Sequence, residues 1–143
     1  MAPPLDRIDH VHVFVADRPA AEAWYRRVLG LSRVHALAGW AKGGGPLTLG
    51  DGAGTIHLAL FESPAEKCRS TIALGVDGAS FEAWRMHLAA ELGRTVEVVD
   101  HGQARSLYFS DPDGNPYEIT CYAPVARTDA GSAAARPEGD ARP

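Results

Sequence analysis

The chain has 143 residues, 45% of them hydrophobic, a formal net charge of −4 and a pI near 5.8. That length suits one domain with a real core, and the acidic balance, with no local Lys/Arg cluster, excludes an electrostatic case for nucleic acid. No apolar run approaches a membrane span, the N-terminal MAPPLDRID lacks an apolar signal region, and Cys68 and Cys121 form no spaced motif, so a reduced cytoplasmic protein is expected.

In chain order, Ile8 to Ala16 alternates as a strand. Val11, Val13 and Val15 share one face; Ile8, His10, His12 and Phe14 share the other. A helix follows from about Pro19 to Leu29, with Asp17 as its cap, Pro19 in the first turn and Gly30 as the stop. Ser32 to Leu37 and Leu47 to Leu49 read as short strands around a loop that holds Trp40 and Gly43-Gly44-Gly45. Thr55 to Phe61 is a fourth strand, with Ile56, Leu58 and Leu60 on one face and His57, Ala59 and Phe61 on the other. This makes one βαβββ unit.

The unit then repeats. Thr71 to Asp77 reads as a strand, and Ser80 to Leu92 as a helix with Phe81, Trp84, Leu88 and Leu92 at helical spacing. Its Glu82-Ala83-Trp84 echoes Glu22-Ala23-Trp24, sixty positions earlier. Thr95 to Val99 is the next strand. A β-hairpin closes the unit: Leu107-Tyr108-Phe109 and Tyr117 to Thr120 flank the dense turn chemistry of Asp111-Pro112-Asp113-Gly114-Asn115. The expected organisation is a single α+β domain over 1–123, built from modules 6–62 and 70–122. The tail, 124–143, is rich in Ala, Gly, Pro, Arg and Asp and is expected to be disordered.

Each module thus offers an apolar face that can pack under its helix and a mixed face. The mixed faces hold His10, His12, His57, Thr71, Tyr108 and Glu118. Two half-buried histidines with separate partners would be an ordinary structural arrangement. If the two sheets curve together, however, two imidazoles and a carboxylate converge as a two-His-one-carboxylate metal site with open positions. Three ligands at equivalent strand positions of a duplicated unit favour the metal.

The segments IDHVHVFVADRPAAEAWYRRVLGL, GTIHLALF, TIALGVD and YFSDPDGNPYE resemble the vicinal oxygen chelate superfamily. That family includes glyoxalase I, fosfomycin-resistance and bleomycin-binding proteins, and type I extradiol dioxygenases. The resemblance implies two βαβββ modules in a half-open β-barrel with helices packed on its outer face, and metal ligands from the first and last strands of each module. Carried over by position, the ligand sites are His10, His57, Thr71 and Glu118. Metal-binding members usually have His where Thr71 stands, which leaves His10, His57 and Glu118 as ligands. His57 itself stands where many relatives with glyoxalase activity have Glu. His12 is the reserve ligand or general base, or simply lines the concavity.

The resemblance also bears on chemistry. Extradiol dioxygenases end in a run whose order is matched here by His101, Leu107-Tyr108, Asp111-Pro112, Gly114 and Glu118. In those enzymes the Tyr and His contact substrate or oxygen, so Tyr108 and His101 join His12 as catalytic candidates. The expectation is a divalent-metal-dependent enzyme acting on a small oxygen-chelating substrate, with extradiol dioxygenase first. It would hold one metal ion per chain, Fe(II) or Mn(II) in preference to Ni(II) or Zn(II). One alternative is a lyase or isomerase of glyoxalase I type. The other is a metal-free binding protein of bleomycin-resistance type, in which Phe14, Trp40 and Phe61 stack a planar ligand. Fosfomycin resistance ranks below these, because the second-module His is absent. Relatives generally pair, so a homodimer is expected, with no membrane or nucleic-acid partner.

Overall fold

A computed structural model describes residues 1–122; the expected disordered tail lies outside the described residues. The order of elements is β1 (Val11–Val15), α1 (Arg18–Leu29), β2 (Ser32–Arg33), a 3-10 turn (His35–Leu37), α2 (Ala38–Lys42), β3 (Leu47–Gly50) and β4 (His57–Glu62). The second half repeats it with β5 (Ile72–Gly75), α3 (Gly78–Leu92), β6 (Val98–Asp100), β7 (Arg105–Ser110) and β8 (Pro116–Cys121). The strands form two four-stranded sheets, β1-β4-β3-β2 and β5-β8-β7-β6. In each, the first strand runs parallel to the last and the other ladders are antiparallel. These are the two βαβββ modules of a half-open barrel, since among the described residues no ladder joins the sheets. No described helix is long and apolar enough to cross a membrane.

Local chemistry explains the helices. The Asp17 carboxylate accepts from the Ala20 amide at 2.8 Å, and Gly30 ends α1 at φ 69°. That left-handed position carries a steric cost for any residue with a Cβ. Asp77 caps α3 in the same way, accepting from the Ser80 amide at 2.7 Å. Each cap is worth about 1 kcal/mol. The apolar faces pack under these helices as the alternation implies. Val13, Val15, Leu58, Leu60, Leu107, Phe109 and Ile119 are buried, and Ile56, Ile72, Leu74 and Val76 pack against them. Truncating a side chain as enclosed as Leu60 would cost about 2–5 kcal/mol.

Several boundaries differ from the sequence reading. β1 starts at Val11, not Ile8, because its neighbour β4 starts only at His57 and offers nothing upstream to pair with; Ile8 stays 82% exposed. The strand expected over Ser32–Leu37 stops at Arg33 and turns into the 3-10 segment. The loop around Trp40 contains α2, which ends before Gly43-Gly44-Gly45. β6 also lies three residues beyond the expected start at Thr95.

The modules are joined by a buried polar latch. The Asp111 carboxylate accepts from the Tyr25 hydroxyl of α1 at 2.6 Å, and the Tyr25 and Tyr117 hydroxyls share a 2.9 Å hydrogen bond. Asn115 donates to Asp111 at 2.7 Å and to the Phe14 carbonyl of β1 at 2.8 Å, while accepting from the Cys68 amide at 3.1 Å. The turn residues of the second module therefore hold the first strand of the other. Desolvation raises the pKa of both tyrosines above the ordinary phenol range, so both stay protonated and able to donate.

Candidate active site

The mixed face of the first sheet starts from strand register. β1 and β4 pair Val11 with Leu58, His12 with Ala59 and Phe14 with Phe61, so His12, Phe14, Ala59 and Phe61 share one surface. His10 immediately precedes β1, and His57 is the first residue of β4. The rings form a row: Phe14 to Phe61 at 6.1 Å, Phe61 to His12 at 4.6 Å, and His12 stacked on His10 at 5.1 Å. The two imidazoles also approach through their Nε2 atoms, 3.2 Å apart, and Asp9 meets His10 Nδ1 at 2.9 Å. Hydrogen bonds from His10 and then Arg7 hold the Asp9 carboxyl below its usual range.

The second sheet presents its own cluster. Tyr108 on β7 is the register partner of Glu118 on β8, and Ser106 pairs with Thr120 one step along the same face. Ser106 is fully buried. Its hydroxyl donates to Glu118 Oε1 at 2.5 Å and lies 3.2 Å from the Thr120 hydroxyl. One hydroxyl hydrogen serves one acceptor, so Thr120 is the donor in the second contact: the chain runs Thr120 to Ser106 to Glu118. Tyr108 is 43% exposed, and its hydroxyl lies 3.1 Å from His101 Nε2, the rings meeting edge to face. His101 is held by its amide on the Ala104 carbonyl at 2.8 Å, across the turn between β6 and β7.

The structure therefore groups the sequence-derived residues in two sets. His10, His12, Phe14 and Phe61 come together on the first sheet; Tyr108, His101 and Glu118 come together on the second. Thr71 precedes β5, exposed, on the side of Ala73 and hence of Glu118. Trp40 does not join either set. Its helix α2 shares a groove with Arg18, Pro19 and Glu22 of α1, on the helix-bearing side of the sheet, and its ring is 57% exposed. His57 shares the face of His12 but its ring leans the other way, over Gly50. Sequence reasoning missed Ser106 as a functional residue, although its even spacing from Tyr108 was the available signal.

The donor types suit a divalent ion, yet their placement does not. Among the described residues, no three His, Cys, Asp or Glu side chains lie close enough to hold a metal. Within one chain as it stands, the site does not fit one.

The model of the Glyoxalase/Bleomycin resistance protein/Dioxygenase superfamily matches residues 7–119. The chain belongs to that superfamily. No curated protein sequence matches it significantly. Among solved structures, a lactoylglutathione lyase from Agrobacterium tumefaciens is 26% identical, with a TM-score of 0.63 over 82% of this chain and 95% of that one. A glyoxalase/dioxygenase from Nostoc punctiforme is 23% identical, with a TM-score of 0.62 over 86% and 96%. The fosfomycin resistance protein FosX from Listeria monocytogenes, solved with Mn(II) and sulfate, is 16% identical, with a TM-score of 0.60 over 85% and 94%. The last two speak to fold alone. The superfamily contains enzymes, and a neighbouring structure holds a divalent metal in the same fold.

Proposed function

We propose that this superfamily member is a divalent-metal-dependent enzyme acting on a small substrate that chelates through two oxygens, of extradiol dioxygenase type. The observation that carries this reading is the Tyr108–His101 hydrogen bond beside Glu118: a phenol with an imidazole behind it, next to a carboxylate. His10, His57 and Glu118 are the proposed ligands, with Fe(II) or Mn(II) as the metal, and His12 is the reserve. Because they do not gather within one chain, the reading includes a homodimer in which the histidines of one subunit meet Glu118 of another. The unpaired mixed faces and the exposed segment before Val11 support that pairing.

The residues of the chain supply proton handling and binding. With the Nε2–H tautomer of His101 donating to the Tyr108 oxygen, the phenol can give its one proton to a substrate oxygen and take it back in the reverse step. Phe14 and Phe61 offer ring faces to a planar substrate. Thr71, on the side of Glu118, is small enough to leave room for it.

A second reading has an observation of its own. The similarity to the Agrobacterium lyase favours proton transfer within a substrate without oxygen chemistry, although His57 stands where many glyoxalase-type relatives have Glu. Oxygen uptake with a panel of catechols, run beside a hemithioacetal isomerisation assay, separates the two. Oxygen consumption by the Fe(II)-supplemented protein supports the dioxygenase. Isomerisation by the Ni(II) or Zn(II) form without oxygen consumption supports the lyase or isomerase. Activity in neither, with tight binding of planar ligands, would point to the metal-free binding alternative.

A further inference from the structure

α1 ends at Gly30, and the chain doubles back at once into β2, the outer strand of its sheet. Arg33 pairs in register with Leu49, which is fully buried on the helix-bearing face, so its side chain is sent towards α1. There it forks onto Glu22: Nε donates to Oε1 at 3.1 Å and Nη2 to Oε2 at 2.6 Å. Arg26, one helical turn beyond Glu22, stands 3.7 Å from the same Oε1, too far for a hydrogen bond. Two guanidiniums thus share one carboxylate whose side chain is only 14% exposed. The acid is saturated and a positive charge is left over, on a chain whose net charge is −4.

These side chains line an open groove of about 630 Å³ between α1 and the β2 edge, together with Ser32 and His35. Among the described residues, the Ser32 hydroxyl, the His35 ring and Nη1 of Arg33 have no hydrogen-bond partner. A second groove shares Pro19, Glu22 and Arg33 with the first and adds Lys42, whose ammonium has no ion-pair partner among the described residues. Donors that outnumber acceptors around a concave surface are what holding an anion requires.

We propose that the α1–β2 groove binds the phosphate group of a small molecule, with Arg26, Arg33 and Ser32 as oxyanion donors and Glu22 as the residue that positions both guanidiniums. The planar guanidinium fork matches phosphate oxygens, and a partner carboxylate keeps it in place. The groove falls within the range of about 300–1,000 Å³ usual for small-molecule sites. It includes none of His12, Tyr108 and Glu118, so it stands apart from the proposed activity.

The test is calorimetric titration of the whole chain with inorganic phosphate and with phenyl phosphate, at constant ionic strength. Wild type should bind one equivalent of either with a Kd of about 1 mM or lower. Arg33→Lys keeps the charge and loses the fork, so binding should weaken by at least about tenfold, and Arg26→Ala should do the same. Arg94→Ala, which removes a guanidinium outside the groove, should leave binding unchanged. Tighter binding of phenyl phosphate assigns the site to an esterified phosphate, and tighter binding of inorganic phosphate assigns it to the free ion. No saturable binding by wild type, undiminished binding in folded Arg33→Lys, or equal weakening in Arg94→Ala would overturn the inference. Should Arg33→Lys not fold, Arg26→Ala and amide NMR of wild type decide. Phosphate-induced shifts at Ser32 to His35, with weaker binding in Arg26→Ala, support the site; shifts confined to the rest of the chain overturn it.

Discussion

Tyr108 and Glu118 face each other across the β7–β8 ladder, on the side of the sheet away from its helix. The phenol is open to solvent and tied to His101, and the carboxylate is half-buried and tied to Ser106. Under the proposed function, the phenol moves a proton and the carboxylate is held still. Tyr108→Phe keeps the ring and removes the hydroxyl, so kcat should fall by roughly 100-fold while substrate binding changes much less. His101→Gln should lower kcat in the same direction by a smaller factor. Steady-state kinetics on whichever substrate turns over checks both, and equal loss in kcat and binding would contradict the assignment.

Ser106 fixes one oxygen of Glu118 and leaves Oε2 available. In Ser106→Ala the carboxylate loses its donor, and metal affinity should drop by about 10–100-fold, the range for partners behind a ligand. Stability should fall by only about 1 kcal/mol, the net worth of a buried hydrogen bond. Binding titration with Mn(II) and denaturant unfolding of the same variant separate these effects.

Asn115 is the hub of the latch between the modules. Asn115→Ala removes its bonds to the Phe14 carbonyl, the Asp111 carboxylate and the Cys68 amide, and strands buried partners. Unfolding free energy should fall by roughly 2–4 kcal/mol. Urea denaturation measures it, and a loss under 1 kcal/mol would show that the turn does not hold β1.

Tyr25 and Tyr117 impose a pH dependence. Burial raises both phenols above the ordinary value of 10.0. The unfolded chain ionises them near 10 while the folded chain keeps its protons, so the unfolded state binds fewer protons in that window. Their stabilisation is complete below pH 10 and declines as pH rises beyond it, by up to about 1.4 kcal/mol per pH unit for each tyrosine. Denaturant unfolding between pH 9 and 11.5 should show this slope. Tyr117→Phe should reduce it by about half.

Much of the fold was legible because its signals are local. Strict alternation in Val11–Val15 and Leu58–Leu60, the Asp17 and Gly30 caps, and the Asp111–Asn115 turn each specify their own conformation. α2 was not, since five residues carrying Gly39 and followed by three glycines show no helical period. Its consequence, Trp40 on the helix side, was hidden with it. The site was legible by face: parity alone placed Tyr108 with Glu118 and His12 with Phe61. What parity does not encode is the rotamer of His57, whose ring lies beside Gly50 one strand away. Nor does it encode how closely two sheets approach, because that is set by long-range packing.

The central claim is that His10, His57 and Glu118 hold one divalent metal per chain when subunits pair. Metal analysis of protein purified without added metal, on wild type and the His57→Ala and Glu118→Ala variants, tests it most directly. About one ion per chain is expected in wild type, with a loss of orders of magnitude in affinity for each variant, because three protein ligands leave little redundancy. Stoichiometric metal surviving in both variants, or wild type that neither carries nor takes up a divalent ion, would contradict it.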